Sequence, residues 1–283
     1  MSLVGRQLGD FLLDKKLGAG GMGEVYRAKQ ISLDRIVAVK VLPKSLATQE
    51  GFDERFKREA RAAANLIHPN VIQVYHIGID PELGTPYFAM EYVEGEDLQQ
   101  RIKRLGSIPY EMSVEIMAGV AAALSMAFER GIIHRDIKPS NIMIDKNEIV
   151  KVMDFGLAKA TQDAQASNLT QSGLIMGTPN YISPEAGRGD PVDSRSDIYS
   201  LGVAFYELLT GKLPFTAATP AAIIYKHVYE QPTPPRQLNA ECPPFLEEIC
   251  LRMIAKEPKD RYPNPKALLA DLNEFKRNAE YYL

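Results

Sequence analysis

The stretch HRDIKPSNIMIDKNEIVKVMDFG, His134 to Gly156, decides how this chain folds. Its first eight residues hold a His, an Arg, an Asp, a Lys and an Asn around a Pro. A surface loop can be this polar for solubility alone. A site that moves a phosphoryl group needs the same types together: a carboxylate to orient a hydroxyl, a cation to offset charge, and an amide oxygen for a metal. The residues that follow decide between the two. NIMI and EIVKVMD are strand-prone and DKN between them is turn chemistry, so the segment predicts a hairpin. Closing that hairpin brings Asn141 close to Asp154. An Asn and an Asp converging beside phosphates make a Mg²⁺ site, because magnesium keeps several waters and takes few protein oxygens. Asp154-Phe155-Gly156 alone reads as an ordinary strand-end turn, and Asn141 opposite it removes that plain reading.

Composition sets the frame. With 283 residues, 45% hydrophobic and 24% charged, the chain suits one large domain or two lobes. A net charge of −3 gives no basis for nucleic-acid binding. Cys242 and Cys250 have neither metal nor disulfide-framework spacing, so a reducing, cytoplasmic compartment is expected. No apolar run is expected to reach the length of a membrane span, the longest being expected as buried core helices, and no signal peptide is visible.

The first ninety or so residues mix strand and helix signals, and beyond a connector at Glu91 to Glu96 long Ala- and Leu-rich helical stretches take over. Near the start, LGAGGMGEVYRA carries Gly18, Gly20 and Gly23 in GxGxxG spacing. A dinucleotide site wants a helix directly afterwards, but EVYRA is strand-like, so a hairpin flap over phosphates is the better reading. In RIVAVKVL, alternation puts Ala38 and Lys40 on one face and Val37, Val39 and Val41 on the other. Both faces are mainly apolar, so Lys40 is buried and needs a partner. The helix FDERFKREARAAANLI offers one: Phe52, Phe56, Glu59, Ala63 and Leu66, spaced 4, 3, 4 and 3, form an inward stripe with a carboxylate in its middle. Pairing Lys40 with Glu59 resolves two buried charges at once. The plain alternative has Lys40 snorkelling from a strand end and Glu59 solvated.

Taken in order, the Gly-rich loop, VAVK, HRD with Asn141, and DFG resemble the signature of a eukaryotic-like (Hanks-type) serine/threonine protein kinase catalytic domain, bacterial receptor-like members in particular. The resemblance runs from about Phe11 to the C-terminal helices, and departs only where A-P-E is written SPE, Ser183 to Glu185. It implies an α+β, bilobal fold: residues 1–93 as a small antiparallel-sheet lobe with one main helix, and residues 94–283 as a larger helical lobe. It implies ATP with Mg²⁺ (Mn²⁺ as the alternative), Lys40 on the α- and β-phosphates, Asp136 on the acceptor hydroxyl, Lys138 on the transferring phosphoryl, and Asn141 and Asp154 on the metal. Adenine is expected between Leu17, Val25 and Ala38 above and Met143 below. Met90 is expected as gatekeeper, the backbone of Glu91 and Val93 as its hydrogen-bonding edge, and Asp97 near the ribose. Glu185 is expected to pair with Arg261.

By the same resemblance, Lys138 two residues after Asp136 is the serine/threonine pattern, and Thr178 links the acceptor loop to Asp136. Thr170 and Ser172 are expected autophosphorylation sites, with Arg135 and Lys159 receiving the phosphate. Expected partners are ATP and proteins with Ser or Thr acceptors, with no nucleic acid. Pairing of copies through the small lobes is expected to serve trans-autophosphorylation. A membrane enters only through a segment beyond Leu283. The rival is a pseudokinase scaffold. It predicts loss of Lys40, Asp136, Asn141 or Asp154, and all four are present.

Overall fold

The computed structural model describes residues 2–20, 23–48, 51–155 and 179–278. Its contacts divide the chain into two compact units. The first comprises Met1–Ile67, Val71–Glu94 and Asp154–Gly177, and the second His68–Asn70, Gly95–Met153 and Thr178–Leu283.

The first unit is built on an antiparallel sheet in the order β1-β2-β3-β4-β6-β5. Its strands are β1 (Gln7–Leu8), β2 (Phe11–Gly20), β3 (Gly23–Gln30), β4 (Arg35–Val41), β5 (Val74–Asp80) and β6 (Thr85–Glu91). The register pairs Val25 with Lys40, Ala38 with Met90 and Lys40 with Phe88. Directly paired residues share a face, so Val25, Ala38, Lys40, Phe88 and Met90 line one side of the sheet. The alternate residues Tyr26, Ala28, Val37, Val39, Val41, Tyr87 and Ala89 bury the other side with Leu8, Phe11 and Leu13. Between β4 and β5 come a short helix α1 (Lys44–Ala47) and the amphipathic helix α2 (Phe52–Ala64). The stripe read from its sequence is inward: Phe52, Phe56, Ala60 and Ala63 are buried, as is Leu66 just beyond, and the Phe52 and Phe56 rings stack at 5.5 Å.

The second unit is mainly helical. It carries a small sheet of β7 (Gly95–Asp97), β8 (Ile142–Asp145) and β9 (Val150–Val152), with β8 and β9 forming the expected hairpin. Its helices are α3 (Leu98–Leu105), α4 (Tyr110–Glu129), α5 (Pro184–Arg188), α6 (Ser194–Thr210), α7 (Pro220–Tyr229), α8 (Pro235–Leu238), α9 (Pro244–Met253) and α10 (Pro265–Arg277). Three of them start by one device, a capping oxygen followed by Pro at the first helical position. Ser183, Thr219 and Asn264 accept from the N–H of Ala186, Ala222 and Ala267. Helix α4 corrects one sequence expectation: by length and composition it is apolar enough to cross a membrane. It is nonetheless the buried core helix that the sequence predicts, 67% of its apolar stretch being buried, packed against α6, α10 and β9. Cys242 and Cys250 are buried free thiols, and burial pushes Cys242 up to about 11, which keeps it unreactive.

Candidate active site

In the second unit the polar segment folds around Asp136. Lys138 Nζ donates to both Asp136 carboxylate oxygens at 3.0 and 2.8 Å. Asn141 Nδ2 donates to the Asp136 backbone oxygen at 2.7 Å and to its Oδ2 at 2.9 Å. Pro139–Asn141 is a 3₁₀ turn, and it sets Lys138 and Asn141 on the same carboxylate. The Asn141 Oδ1 takes no hydrogen bond among the described residues, so it remains an acceptor.

The loop itself is held from below. The Asp136 N–H donates to His134 Nδ1 at 3.2 Å, which puts the ring proton on Nε2; that nitrogen donates to the Met153 carbonyl at 2.6 Å. Arg135 sits at φ 69°, a left-handed backbone that non-glycine residues rarely adopt. It is kept there by Asp197 on α6, whose carboxylate accepts the N–H groups of His134 at 2.7 Å and Arg135 at 2.8 Å. Burial raises the Asp197 carboxyl above its ordinary range, and the nearby His134 and the two N–H donors oppose that rise. Sequence reasoning gave Asp197 no role. Its signal was a carboxylate in the first turns of a helix that Asp193 already caps.

Farther from the loop, Arg261 donates to both Glu185 oxygens at 2.8 Å and to the carbonyls of Ala255, Arg195 and Lys256. Burial pushes Glu185 up, but the bonds from Arg261 and Ser196 outweigh it and hold the carboxyl at about 2. The expected Glu185–Arg261 pair is therefore present and buried.

In the first unit the structure corrects the expected lysine partner. Lys40 Nζ is 2.5 Å from Asp154 Oδ2, with both side chains only 11% exposed. Glu59 pairs with its chain neighbour Arg58 at 3.1 Å. The periodicity was right that Glu59 lies on the inner stripe, where its side chain is 14% exposed. Periodicity does not set how a helix is rotated and seated against a sheet, and a buried ammonium takes the carboxylate that packing brings to it. Asp154 is itself at φ 61°, and its Oδ1 is buried with no hydrogen-bond partner among the described residues. A buried carboxylate oxygen left orphaned beside a lysine pair is suited to a cation. Asp154 also lines a cavity of about 10 Å³ with Phe88, Met90 and Phe155.

The other expected residues fall as follows. Val25, Ala38 and Met90 share the Lys40 face of the sheet. Leu17 is 42% exposed at a bulge in β2. A Cβ on Gly18 or Gly20 would meet nothing within 4 Å, whereas one on Gly23, at φ 121°, would strike the Val41 carbonyl at 2.1 Å. Gly23 is thus demanded by the fold, and Gly18 and Gly20 leave a bare backbone open to a ligand. The Glu91 N–H donates to the Gln73 carbonyl at 2.9 Å, and Val93 lies in the irregular segment after β6. Asp97 caps α3 by accepting the Gln100 N–H at 2.8 Å, and Met143 is its cross-strand partner in β8. Gly156, Lys159, Thr170, Ser172 and Thr178 lie outside the described residues.

The glycine hairpin and buried lysine of the sheet unit, and the Asp-Lys-Asn loop of the helical unit, are features of the protein kinase class of fold. The protein kinase domain family matches residues 11–271, and the chain belongs to that family. Among curated relatives, it is 46% identical over 262 residues to serine/threonine-protein kinase PknB of Mycolicibacterium smegmatis, covering 92% of this chain and 42% of the relative. It is 41% identical over 268 residues to a probable serine/threonine-protein kinase of Clostridium acetobutylicum, covering 95% and 40%. The chain thus spans about two fifths of the length of these relatives. Among solved structures, the PknI kinase domain of Mycobacterium tuberculosis matches with a TM-score of 0.75 at 28% identity, covering 97% of this chain and 99% of that one. The fold is the protein kinase fold, and the chain is a bacterial Hanks-type kinase domain.

Proposed function

We propose that the protein transfers the γ-phosphoryl group of ATP to Ser and Thr hydroxyls of other proteins. The observation that carries this reading is the Asp136 carboxylate, gripped by Lys138 and Asn141 and carried on a loop that Asp197 anchors. Asp136 orients the acceptor hydroxyl and takes its proton as the oxygen attacks. Lys138 places a positive charge beside that carboxylate, where charge on the passing phosphoryl needs an offset. Phosphoryl transfer asks the protein for positioning and electrostatics more than for covalent chemistry, and this set supplies both.

ATP is assigned to Gly18, Gly20, Gly23 and Lys40 on its phosphates, to Leu17, Val25, Ala38, Met90 and Met143 on adenine with the backbone of Glu91 and Val93, and to Asp97 on the ribose. Asp154, through its orphaned Oδ1, and Asn141, through its amide oxygen, would hold Mg²⁺ or Mn²⁺. The cation, when bound, neutralises phosphate charge. The pair of Lys40 with Asp154 would have to open for Lys40 to reach the phosphates. The segment between DFG and SPE is assigned an autophosphorylation switch, with Thr170 and Ser172 as sites, Arg135 and Lys159 as receivers, and Thr178 steering the acceptor toward Asp136. Work in the cytosol, trans-autophosphorylation between copies, and a membrane anchor in chain beyond Leu283 belong to the same reading.

The test is incubation with labelled ATP and Mg²⁺ beside a generic basic protein, followed by phosphosite mapping. Label on Ser and Thr that disappears in Asp136→Asn is the expected result. No label on either protein in the wild type would sink the proposal.

A further inference from the structure

The strands that flank the Gly-rich turn are joined on the face away from Lys40. Lys16 on β2 and Tyr26 on β3 are register partners, and Glu24 lies two residues before Tyr26 on the same face. The Lys16 ammonium is 2.5 Å from Glu24 Oε1. The Tyr26 hydroxyl donates to Glu24 Oε2. That hydroxyl in turn accepts the backbone N–H of Leu3 at 3.3 Å, so its one donor and one acceptor are both used. The Tyr26 ring is fully buried in the outer core, against which Leu3 also packs. Leu3 is held by main-chain bonds of its own: Arg6 N–H donates to the Leu3 carbonyl at 3.0 Å, and Leu13 N–H donates to the Arg6 carbonyl at 2.9 Å. A line of bonded groups therefore runs from residue 3, outside the family match of 11–271, to both arms of the hairpin.

The hairpin needs such a tie. The register of β2 against β3 slips twice, between Leu13 and Lys15 and between Lys16 and Gly18, so its ladder is interrupted just before the glycines. Gly18 and Gly20 have no neighbour within reach of a Cβ among the described residues. Backbone in this state is held by little except its two arms, and Lys16–Glu24–Tyr26 fixes one arm to the other across the second slip. Of the three, only Tyr26 is anchored in the core.

We propose that Tyr26 is a positioning residue for ATP: through Glu24 and Lys16 it holds the Gly-rich hairpin at the height at which its backbone receives the phosphates. It touches neither nucleotide nor reacting atoms. The inference rests on the reading of Gly18, Gly20 and Gly23 as a phosphate flap.

The experiment measures KM for ATP and kcat of the whole chain with a saturating acceptor, and the inhibition constant of adenosine, which carries no phosphate. Tyr26→Phe keeps the buried ring and deletes only the hydroxyl. Its KM for ATP is expected to rise about five-fold, the scale of one lost hydrogen bond to a charged partner. Its kcat and its adenosine inhibition constant stay within about two-fold, since orientation at Asp136 and the adenine face are untouched. Lys16→Met, on the surface, is expected to move KM in the same direction with no risk to folding. The double variant Tyr26→Phe/Glu24→Gln should be no worse than the weaker-binding single, because both act through one line. An unchanged KM for ATP in Tyr26→Phe overturns the inference. A parallel loss of adenosine binding and kcat does so too, because that is the mark of general destabilisation. Gly20→Val separates the two readings: if it leaves KM for ATP unchanged, the flap reading itself fails. If it raises KM while Tyr26→Phe does not, only the role of Tyr26 is lost.

Discussion

Replacing Asp197 by Asn tests how the catalytic loop is held. The carboxylate is 3% exposed and accepts two backbone N–H groups, at 2.7 and 2.8 Å. Asparagine keeps the shape but puts an NH₂ where one acceptor oxygen was. One bond to a charged acceptor is lost, at about 1.5–3 kcal/mol, and a buried donor then faces another donor, at about 1–3 kcal/mol more. Part of this is returned, because the carboxylate is itself costly to bury, as its raised pKa shows. A net loss of about 3 kcal/mol follows, or roughly 6–12 °C in Tm for a chain of this length. The sharper effect is on rate. Arg135 at φ 69° relaxes once its N–H is released, and Asp136 is the next residue. A displacement of about 1 Å there costs on the order of 100-fold in kcat. Thermal unfolding and steady-state kinetics against ATP and an acceptor peptide read both effects. KM for ATP should stay within about three-fold. A variant with wild-type Tm and kcat would refute the anchoring argument. One that loses ATP affinity while keeping kcat would show that Asp197 acts through the nucleotide instead.

Lys40→Met should cut phosphotransfer by at least about 100-fold and also destabilise the protein by about 1–3 kcal/mol, because the buried Asp154 carboxylate loses its only ion-pair partner among the described residues; Lys40→Met/Asp154→Asn should recover most of the stability and none of the rate. Arg261→Met should cost about 3–5 kcal/mol in urea unfolding by leaving Glu185 charged and buried, with Arg261→Met/Glu185→Leu restoring a large part. Burial, with the Lys256 ammonium nearby, lowers His227 to about 4 from an ordinary 6.5. The unfolded chain therefore binds the proton first, and stability is full above about pH 6.5 and falls as pH drops toward 4, by about 2 kcal/mol between pH 7 and pH 5. Stability measured across that range should flatten in His227→Leu, and an unaltered slope would assign the acid sensitivity elsewhere. Thr170→Ala/Ser172→Ala should abolish autophosphorylation of the segment before SPE and lower kcat at least about ten-fold, as read by mass spectrometry after ATP treatment beside an acceptor assay.

Period and turn chemistry carried the local structure into view. Alternation in RIVAVKVL separates the Lys40 face from the Val37 face, and the fold buries both as expected. The DKN turn sets the β8–β9 hairpin, and the 3.6 period marks the inner stripe of α2. What these patterns do not carry is the choice among buried partners. Lys40 and Glu59 each required an opposite charge, and pairing them was the economical solution. The chain instead gives Asp154 to Lys40 and Arg58 to Glu59, because partner choice depends on how α2 is seated, which no local repeat encodes. The same limit hid Asp197, yet there the residues carried a clue that can be used elsewhere. A carboxylate in the first turn of a helix finds donors in that helix's own free N–H groups. In α6 those groups already have an acceptor, since Asp193 caps the helix and takes the Arg195 N–H. A second carboxylate, Asp197, lies buried just inside the same helix, and it accepts from another segment. The donors it finds are the consecutive N–H groups of His134 and Arg135 in the irregular HRD loop. In HRD the left-handed Arg135 accompanies two consecutive N–H groups that face one acceptor, and it is there that Asp197 binds.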